Sequence, residues 1–391
     1  MSAKPSFAII GAGIGGLAVA AFLARQGAKV AIYEQAKQFL RIGAGIQMSP
    51  NAMRVLRALG LEPLLRKVGF EPPSWANRVW DSGEHLFELT LGVRAESRYG
   101  APYLLLHRGD LHSALFSIVP PELICFGKKL LDIDRRGAVH ELCFSDGSSA
   151  VADAVIGADG VHSRLREILL GPEKPKFIGR VAYRTVFPTA LMRGFALDTC
   201  TKWWGPDRHI IMYPVNPRRD ETYFTTAVPD PEWDVESWSA QGNVADVRQA
   251  FVGFHEDVQR VLAACPQVHK WALFERDPLP SWSHDAVVLL GDACHPMTPY
   301  MAQGAASALE DAAMLSRCVA ETGDIEEAFH RHEATRLERT SRLQLTSRQN
   351  TWGRQKVDPD WVYGYDVWNA PICDAAQRLR RKTNSKFDGR A

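Results

Sequence analysis

Apolar residues along the chain fall into short runs with two distinct periods. "SFAII" and "KVAIYE" have strand length, and "IGGLAVAAFLAR" between them is apolar at helix length. Together they predict strand, tight glycine turn, helix and strand: one βαβ unit of about thirty residues. "NAMRVLRALGLEPLLRKVG" spaces its apolar positions as a helix does, and "EPPSWANRVWD" and "HLFELTL" read as strands. "APYLLLHRGDLHSALFSIVP" predicts a strand, a polar turn and a helix, and "AVADAVIGADGVHSRLREILLG" repeats the strand-to-helix pattern. From about Pro175 to Pro280 the chain turns strand-rich and aromatic, as in "RVAYRTVFP", "RHIIMYPV" and "ETYFTTAVP". "AVVLLGDA" then returns to the first pattern, and charged helices around "FHRHEATRLERTSRLQLTSRQ" follow.

The order implies an α/β fold in which a Rossmann-like nucleotide-binding domain is interleaved with a mixed β-sheet domain. Residues 1–70, 98–175 and 281–325 are assigned to the first, 71–97 and 176–280 to the second, and 326–391 to C-terminal helices and a tail. Internal repeats and low-complexity segments are absent from the sequence.

Composition narrows the function classes. The 391 residues carry a formal net charge of +1 and 23% charged residues, an ordinary globular balance that gives no reason to expect nucleic acid or a membrane surface as partner. The basic stretch "RLRRKTNSKFDGRA" reads as a solvated tail. Seven cysteines without C-x-x-C spacing fit a reducing compartment, and Cys294–His295 lacks further ligands at zinc-like spacing, so no metal is expected. The first ten residues run into a strand and leave no room for a signal peptide, which makes a soluble cytoplasmic protein the expectation.

Three motifs carry chemistry. In "GAGIGG", Gly11 permits a tight turn, Gly13 and Gly15 let the backbone approach a pyrophosphate, and Gly16 allows close helix packing. Glu34 follows at the tip of the second strand, where a carboxylate can accept from a ribose hydroxyl. "GADG" ends another strand and, on its own, reads as a turn with a helix cap. "GDACHPMTPYMAQGA" sets Asp292 at a strand end just before a helix opening at Gly304, a layout that suits a polar ligand between carboxylate and helix N-terminus. Arg108 in "HRGDL" follows a buried-looking strand.

Taken in this order, the motifs resemble those of the class A flavoprotein aromatic hydroxylases, the family of p-hydroxybenzoate and salicylate hydroxylases, over nearly the whole chain. The resemblance implies non-covalently held FAD, NADH or NADPH as reductant, molecular oxygen, a small aromatic substrate, and a monomer or homodimer. It implies that Glu34 holds the adenosine ribose with Gln35 beside it, and that Arg41 and Arg108 lie along the FAD. Asp159 would sit in a turn shared by FAD and the nicotinamide nucleotide, and Asp292 would accept from the ribityl chain. The helix opening at Gly304 and Ala305 would face the flavin. "RIGAGI", "TKWWGPDRHIIMYP" and "WVYGYD" are most similar to the branch acting on 6-hydroxynicotinate.

A period of two puts His209, Ile211 and Tyr213 on one face of a strand, with Ile210 and Met212 opposite. On spacing alone that face is core. The resemblance turns His209 and Tyr213 into candidates for the base and orienting donor that ionise a ring hydroxyl. Gln47, Tyr300 and Met212 are the expected substrate contacts, with Trp203 and Trp204 in the roof of an apolar pocket. The branch it resembles has histidine at the places of Gln47 and Tyr300, and an amide cannot take a proton at neutral pH. The expected reaction is hydroxylation, with loss of carbon dioxide, of a hydroxylated N-heteroaromatic carboxylate; the alternatives are salicylate- or 3-hydroxybenzoate-type hydroxylation and a non-catalytic flavin-binding protein.

Overall fold

A computed structural model of the chain describes residues 4–41, 44–233 and 240–374. The basic stretch from Arg378 lies outside them.

The first βαβ unit forms as its pattern predicts: strand Ser6–Ile10, helix Ile14–Arg25, strand Lys29–Glu34. Its helix is buried from Ile14 through Leu23, which is why its apolar run is continuous and not striped. The two strands pair in parallel within a six-stranded sheet. Its order is Ser283–His284, Val287–Leu289, Ala154–Gly157, Ser6–Ile10, Lys29–Glu34, Ile124–Phe126, drawn from four distant stretches of chain. Helix Gly304–Glu321 packs beside helix Ile14–Arg25 in the core under this sheet.

The second layer is an eight-stranded sheet in the order Gln241–Gly242, Val268–Glu275, Lys176–Pro188, Glu221–Pro229, His209–Pro214, Cys200–Trp204, Ser74–Val79, His85–Thr90. All its pairs are antiparallel except Cys200–Trp204 with Ser74–Val79. A two-stranded ribbon, Gly45–Met48 with Leu104–His107, lies against one face of this sheet, and Gly45 approaches Tyr213 and Tyr223.

The structure adds elements that the pattern did not predict. Helices Val244–Ala250 and Glu256–Ala264 interrupt the strand-rich region and cover the back of the large sheet. Strands Leu130–Arg136, Val139–Phe144 and Ser149–Ala152 form a separate antiparallel sheet. No polar turn follows Leu104–His107; helix Arg108–Phe116 begins at once, because the His107 ring Nδ1 accepts the Gly109 N–H at 3.0 Å and caps it. No helix of the described residues is long and apolar enough to cross a membrane.

Helices Gly304–Glu321 and Ile325–Arg348 are joined by an ion network that is buried except at its Arg339 edge. Asp311 accepts from Arg336 Nε at 2.7 Å and pairs with His295 Nε2 at 2.5 Å, while Glu310 pairs with Arg336 at 2.7 Å and Arg339 at 2.9 Å. Burial alone would raise the Asp311 carboxyl, but His295 and Arg336 outweigh it and hold the group below its ordinary range. Asp311→Asn leaves Arg336 with Glu310 alone and His295 without its carboxylate, and should lower unfolding free energy by about 3–5 kcal/mol in denaturant titration at neutral pH. Because the folded-state value is depressed, that stabilisation is complete above the ordinary carboxylate range and fades as pH falls below it.

Candidate active site

The cavity opens where the ends of the parallel strands meet the front of the large sheet. It measures about 340 Å³ and has two chemically distinct ends.

The first end is built from strand tips and a helix N-terminus. Gly11 has φ +96°, and a Cβ there would stand 2.5 Å from the Ala158 carbonyl oxygen; one on Gly16 would stand 2.0 Å from the Gly11 carbonyl oxygen. Only glycine permits this turn to lie so close to the helix and the "GADG" strand. Gly13, Gly15, Arg108, Asp292, Gly304 and Ala305 all line the cavity. Helix Gly304–Glu321 carries no side-chain cap, so its first-turn N–H groups are left for a ligand. Asp292 faces that helix start, its Oδ1 3.7 Å from where a Gly304 Cβ would be. Solvent reaches Asp292 and Arg108 through the cleft, yet protein surrounds both on most sides. Crowding raises the Asp292 carboxyl above its ordinary value, with His295 and Arg108 opposing.

Glu34 accepts from the Ala12 N–H at 2.8 Å and the Ala36 N–H at 2.7 Å, which fixes the carboxylate and leaves lone pairs for another donor. Gln35 beside it is exposed. Asp159 caps helix Arg164–Leu170, its Oδ2 accepting from Leu165 N–H at 3.1 Å, while its buried Oδ1 has no hydrogen-bond partner. Arg41, expected along the cofactor, does not line the cavity. Its guanidinium forks between Asp110 and Glu221 at 2.9–3.1 Å, tying the Arg108 helix to the large sheet. The remaining glycines, carboxylates and free helix amides fit a dinucleotide that presents a pyrophosphate and hydroxyls.

The second end is the front of the large sheet. His209, Ile211 and Tyr213 line it together, as the strand period requires. Met212 and Trp203 are corrections to the expected pocket: both point to the opposite face and are buried in the core beneath the two added helices. The alternation that brings His209 forward sends Met212 back. Gln47 is buried, accepting from Tyr103 Oη at 2.5 Å, with its amide nitrogen 3.9 Å from Cys200 Sγ. Burial, with Tyr223 and Cys200 adding, pushes the Tyr213 hydroxyl well above its ordinary value, so it stays a neutral donor. Burial, then the Lys202 and Arg180 charges, holds His209 well below its ordinary value, so the imidazole is neutral. Its ring packs edge-on against Tyr300, centroids 5.4 Å apart. The Tyr300 hydroxyl is buried without a hydrogen-bond partner among the described residues and is pushed up to about 12 by burial.

Two cations here were not anticipated. Lys202, 2% exposed, lines the cavity with its Nζ 3.8 Å from the Trp204 ring centroid. Arg184, also buried, lies 3.8 Å over the Trp271 ring. The signal was present, as single charges inside strands of otherwise apolar and aromatic residues, but the pairing that turns them forward was not visible. Cys294, His295 and Asp311 bring donor atoms within 4.8 Å of one another, but both Asp311 oxygens are already engaged by His295 and Arg336.

A nucleotide cleft closed by a β-sheet lid of aromatic and cationic residues is the architecture of a flavoprotein hydroxylase. The chain belongs to the FAD binding domain family, which it matches over residues 5–114 and 139–344, and is a flavin-dependent monooxygenase with FAD as its cofactor. It is 50% identical to the 6-hydroxynicotinate 3-monooxygenase of Bordetella bronchiseptica over 378 residues, covering 96% of this chain and 98% of the relative. It is 47% identical to that of Pseudomonas fluorescens with the same coverage. The structure of Klebsiella pneumoniae HpxO complexed with FAD and uric acid is similar at TM-score 0.80 and 26% identity, covering 96% of this chain and 95% of that one.

Asp292→Ala removes the one carboxylate facing the uncapped helix start among the described residues. Equilibrium dialysis should show FAD retention weakened by about 1.5–3 kcal/mol, the worth of a charge-assisted hydrogen bond; unchanged retention would separate Asp292 from the cofactor.

Proposed function

We propose that this enzyme hydroxylates a hydroxylated N-heteroaromatic carboxylate such as 6-hydroxynicotinate, with departure of the carboxylate as carbon dioxide, using NADH or NADPH and O2. One oxygen atom enters the ring and the other leaves as water. The observation that carries this reading is the polarity of the cavity's sheet end. Neutral hydrogen-bonding groups, Gln47 and Tyr213, and two buried cations, Lys202 and Arg184, line the same end of the cavity, which suits a flat ring bearing a hydroxyl and a carboxylate. The identity to relatives named for 6-hydroxynicotinate supports the ring assignment.

Bound FAD supplies the redox chemistry that activates oxygen. The protein's part is to hold the ring, exclude water and manage the ring hydroxyl. Tyr213 donates to the ring oxygen, with Gln47 fixing the tyrosine side of the pocket. His209, kept neutral, offers a lone pair for the proton that the ring hydroxyl loses. Tyr300 and Ile211 close the pocket against solvent. Arg108, Asp292, Glu34 and the amides at Gly304 and Ala305 hold the cofactor.

Oxidation of NADH measured over a panel of hydroxylated pyridine and benzene carboxylates, with product mass, tests this. 6-Hydroxynicotinate should stimulate oxidation and give a product lighter by carbon dioxide and heavier by one oxygen; stimulation by benzenoid acids alone would reject the heteroaromatic ring. Tyr213→Phe and His209→Ala should slow product formation on the order of 10²–10⁴-fold while flavin reduction in stopped flow stays near wild type. Loss of both rates together would mean a damaged fold. Gln47→His should change substrate preference or KM more than the pH dependence of the chemical step, since the amide orients without carrying a proton.

A further inference from the structure

Lys202 sits in the middle of strand Cys200–Trp204, facing the cavity, and no carboxylate, carbonyl or hydroxyl accepts from its ammonium among the described residues. The ammonium lies instead against neutral aromatic faces: the Trp204 ring centroid at 3.8 Å and the Tyr300 ring centroid at 5.9 Å. Sheet register explains the placement. Arg184 pairs with Thr225, Thr225 with Ile211 and Ile211 with Lys202, so these four form one cross-strand row on the cavity face. The row sets the two cations about 14 Å apart at backbone level, with Ile211 and Thr225 between them. Lys202 lies one row from Trp204 and His209 and one row, on the other side, from Tyr213. A cation held in rings and apolar strand, with no anion beside it, is costly to bury unless a ligand brings the counter-charge.

We propose that Lys202 is the carboxylate anchor of the substrate pocket, the residue on the row between His209 and Tyr213 that pairs with the anion of a hydroxylated aromatic acid. The assignment rests on the functional reading above and deepens it. Neutral polar groups such as Tyr213 and His209 serve a ring hydroxyl, whereas a carboxylate needs a positive partner in a dry pocket. Arg184, three strands away, cannot reach the same group while it lies over Trp271.

Burial, slightly opposed by Cys200, lowers Lys202 to about 7. A bound carboxylate favours the ammonium and raises that value again. Affinity for the acid should therefore be greatest below about pH 7 and weaken as pH rises through it, with a proton taken up on binding. The surrounding groups do not mimic this. His209 is held neutral by burial, and Tyr213, Tyr223 and Cys200 are pushed up by burial. Tyr300 is pushed up to about 12, and Arg184, lowered to about 9 by burial, discharges only above this window. Across the cavity, Arg108 and Asp292 lie at the cofactor end, and Asn77 on the adjoining strand does not titrate.

The test is equilibrium binding to the FAD-loaded enzyme, without reductant, read from the flavin spectrum and run with 6-hydroxynicotinate and its uncharged analogue 6-hydroxynicotinamide. In wild type, Kd for the acid should rise up to about tenfold per pH unit above pH 7, and Kd for the amide should stay flat. Lys202→Met should weaken the acid on the order of 10²-fold and leave the amide unchanged. Lys202→Arg should keep the acid affinity and lose the pH slope, because guanidinium stays charged. Equal acid affinity in Lys202→Met and wild type, or equal loss of both ligands with FAD still bound, would overturn the anchor. Wild type that binds benzenoid hydroxy acids with the same pH slope but not 6-hydroxynicotinate would reject the heteroaromatic ring and keep the anchor; wild type that binds no aromatic acid would overturn both.

Discussion

The buried charges between the two C-terminal helices govern more of this molecule than their place in the core suggests. Two carboxylates, Glu310 and Asp311, meet two guanidiniums, Arg336 and Arg339, so the network balances its own charges. From it, hydrogen bonds run outward to both ends of the cavity. His295 fixes the loop that carries Asp292. Asn51 links Glu310 to Gln303, the residue before the helix start, and Gln303 reaches Ser49, one residue beyond the strand that presents Gln47. A shift of the helix that faces the cofactor would thus also move the strand that faces the substrate. Isolated ion pairs of this kind are weak evidence for stability, but a chain of them with no slack is a means of holding two halves of a site in register.

Electrostatics divides the cavity's labour. Acidic groups gather at the cofactor end, where hydroxyls need acceptors. The sheet end has tyrosines, a neutral imidazole and buried cations, and no acidic side chain among the described residues lines it. An anionic ring is favoured there twice, once by Lys202 and Arg184 and once by the absence of repelling carboxylates. Burial first, then the Lys202 and Arg180 charges, keep His209 from charging, so the pocket's positive potential does not depend on that imidazole.

Much of this was legible in the sequence because it rests on local rules. The glycine turn, the strand ends at Glu34, Gly157 and Leu289, and the forward set His209, Ile211, Tyr213 all follow from spacing within a single segment. What was missed depends on pairing between segments. Met212 is the exception, since the alternation of its own strand already sends it backward from the pocket to which it was assigned. Arg41 was given to the cofactor because nothing local reveals Asp110 and Glu221, 69 and 180 residues away, as its partners. Lys202 acquires its place only through register with Ile211 and Thr225. The helices at Val244 and Glu256 are seven and nine residues long, too short for their period to stand out in a strand-rich stretch. The small sheet of residues 130–152 did carry turn signals, "DRRG" and "SDGS", that a closer reading could have used.

Gln47 and Tyr300 are where this chain departs from the branch it resembles, and the structure gives the departures a common meaning. Both replace a titratable ring with a group that stays neutral across the physiological range. Gln47 can accept from Tyr103 while its amide nitrogen points elsewhere, so it fixes tyrosine geometry without competing for the ring proton. Tyr300 supplies an aromatic face to Lys202 and an unpartnered hydroxyl to the cavity. A histidine at either place could charge beside Lys202 and would compete with it for the substrate's anion. With both places neutral, the buried lysine is the group at the sheet end whose charge changes near neutral pH. Recognition of an acidic ring and proton uptake then become one event at one side chain, and the chemistry of the hydroxyl is left to His209 and Tyr213.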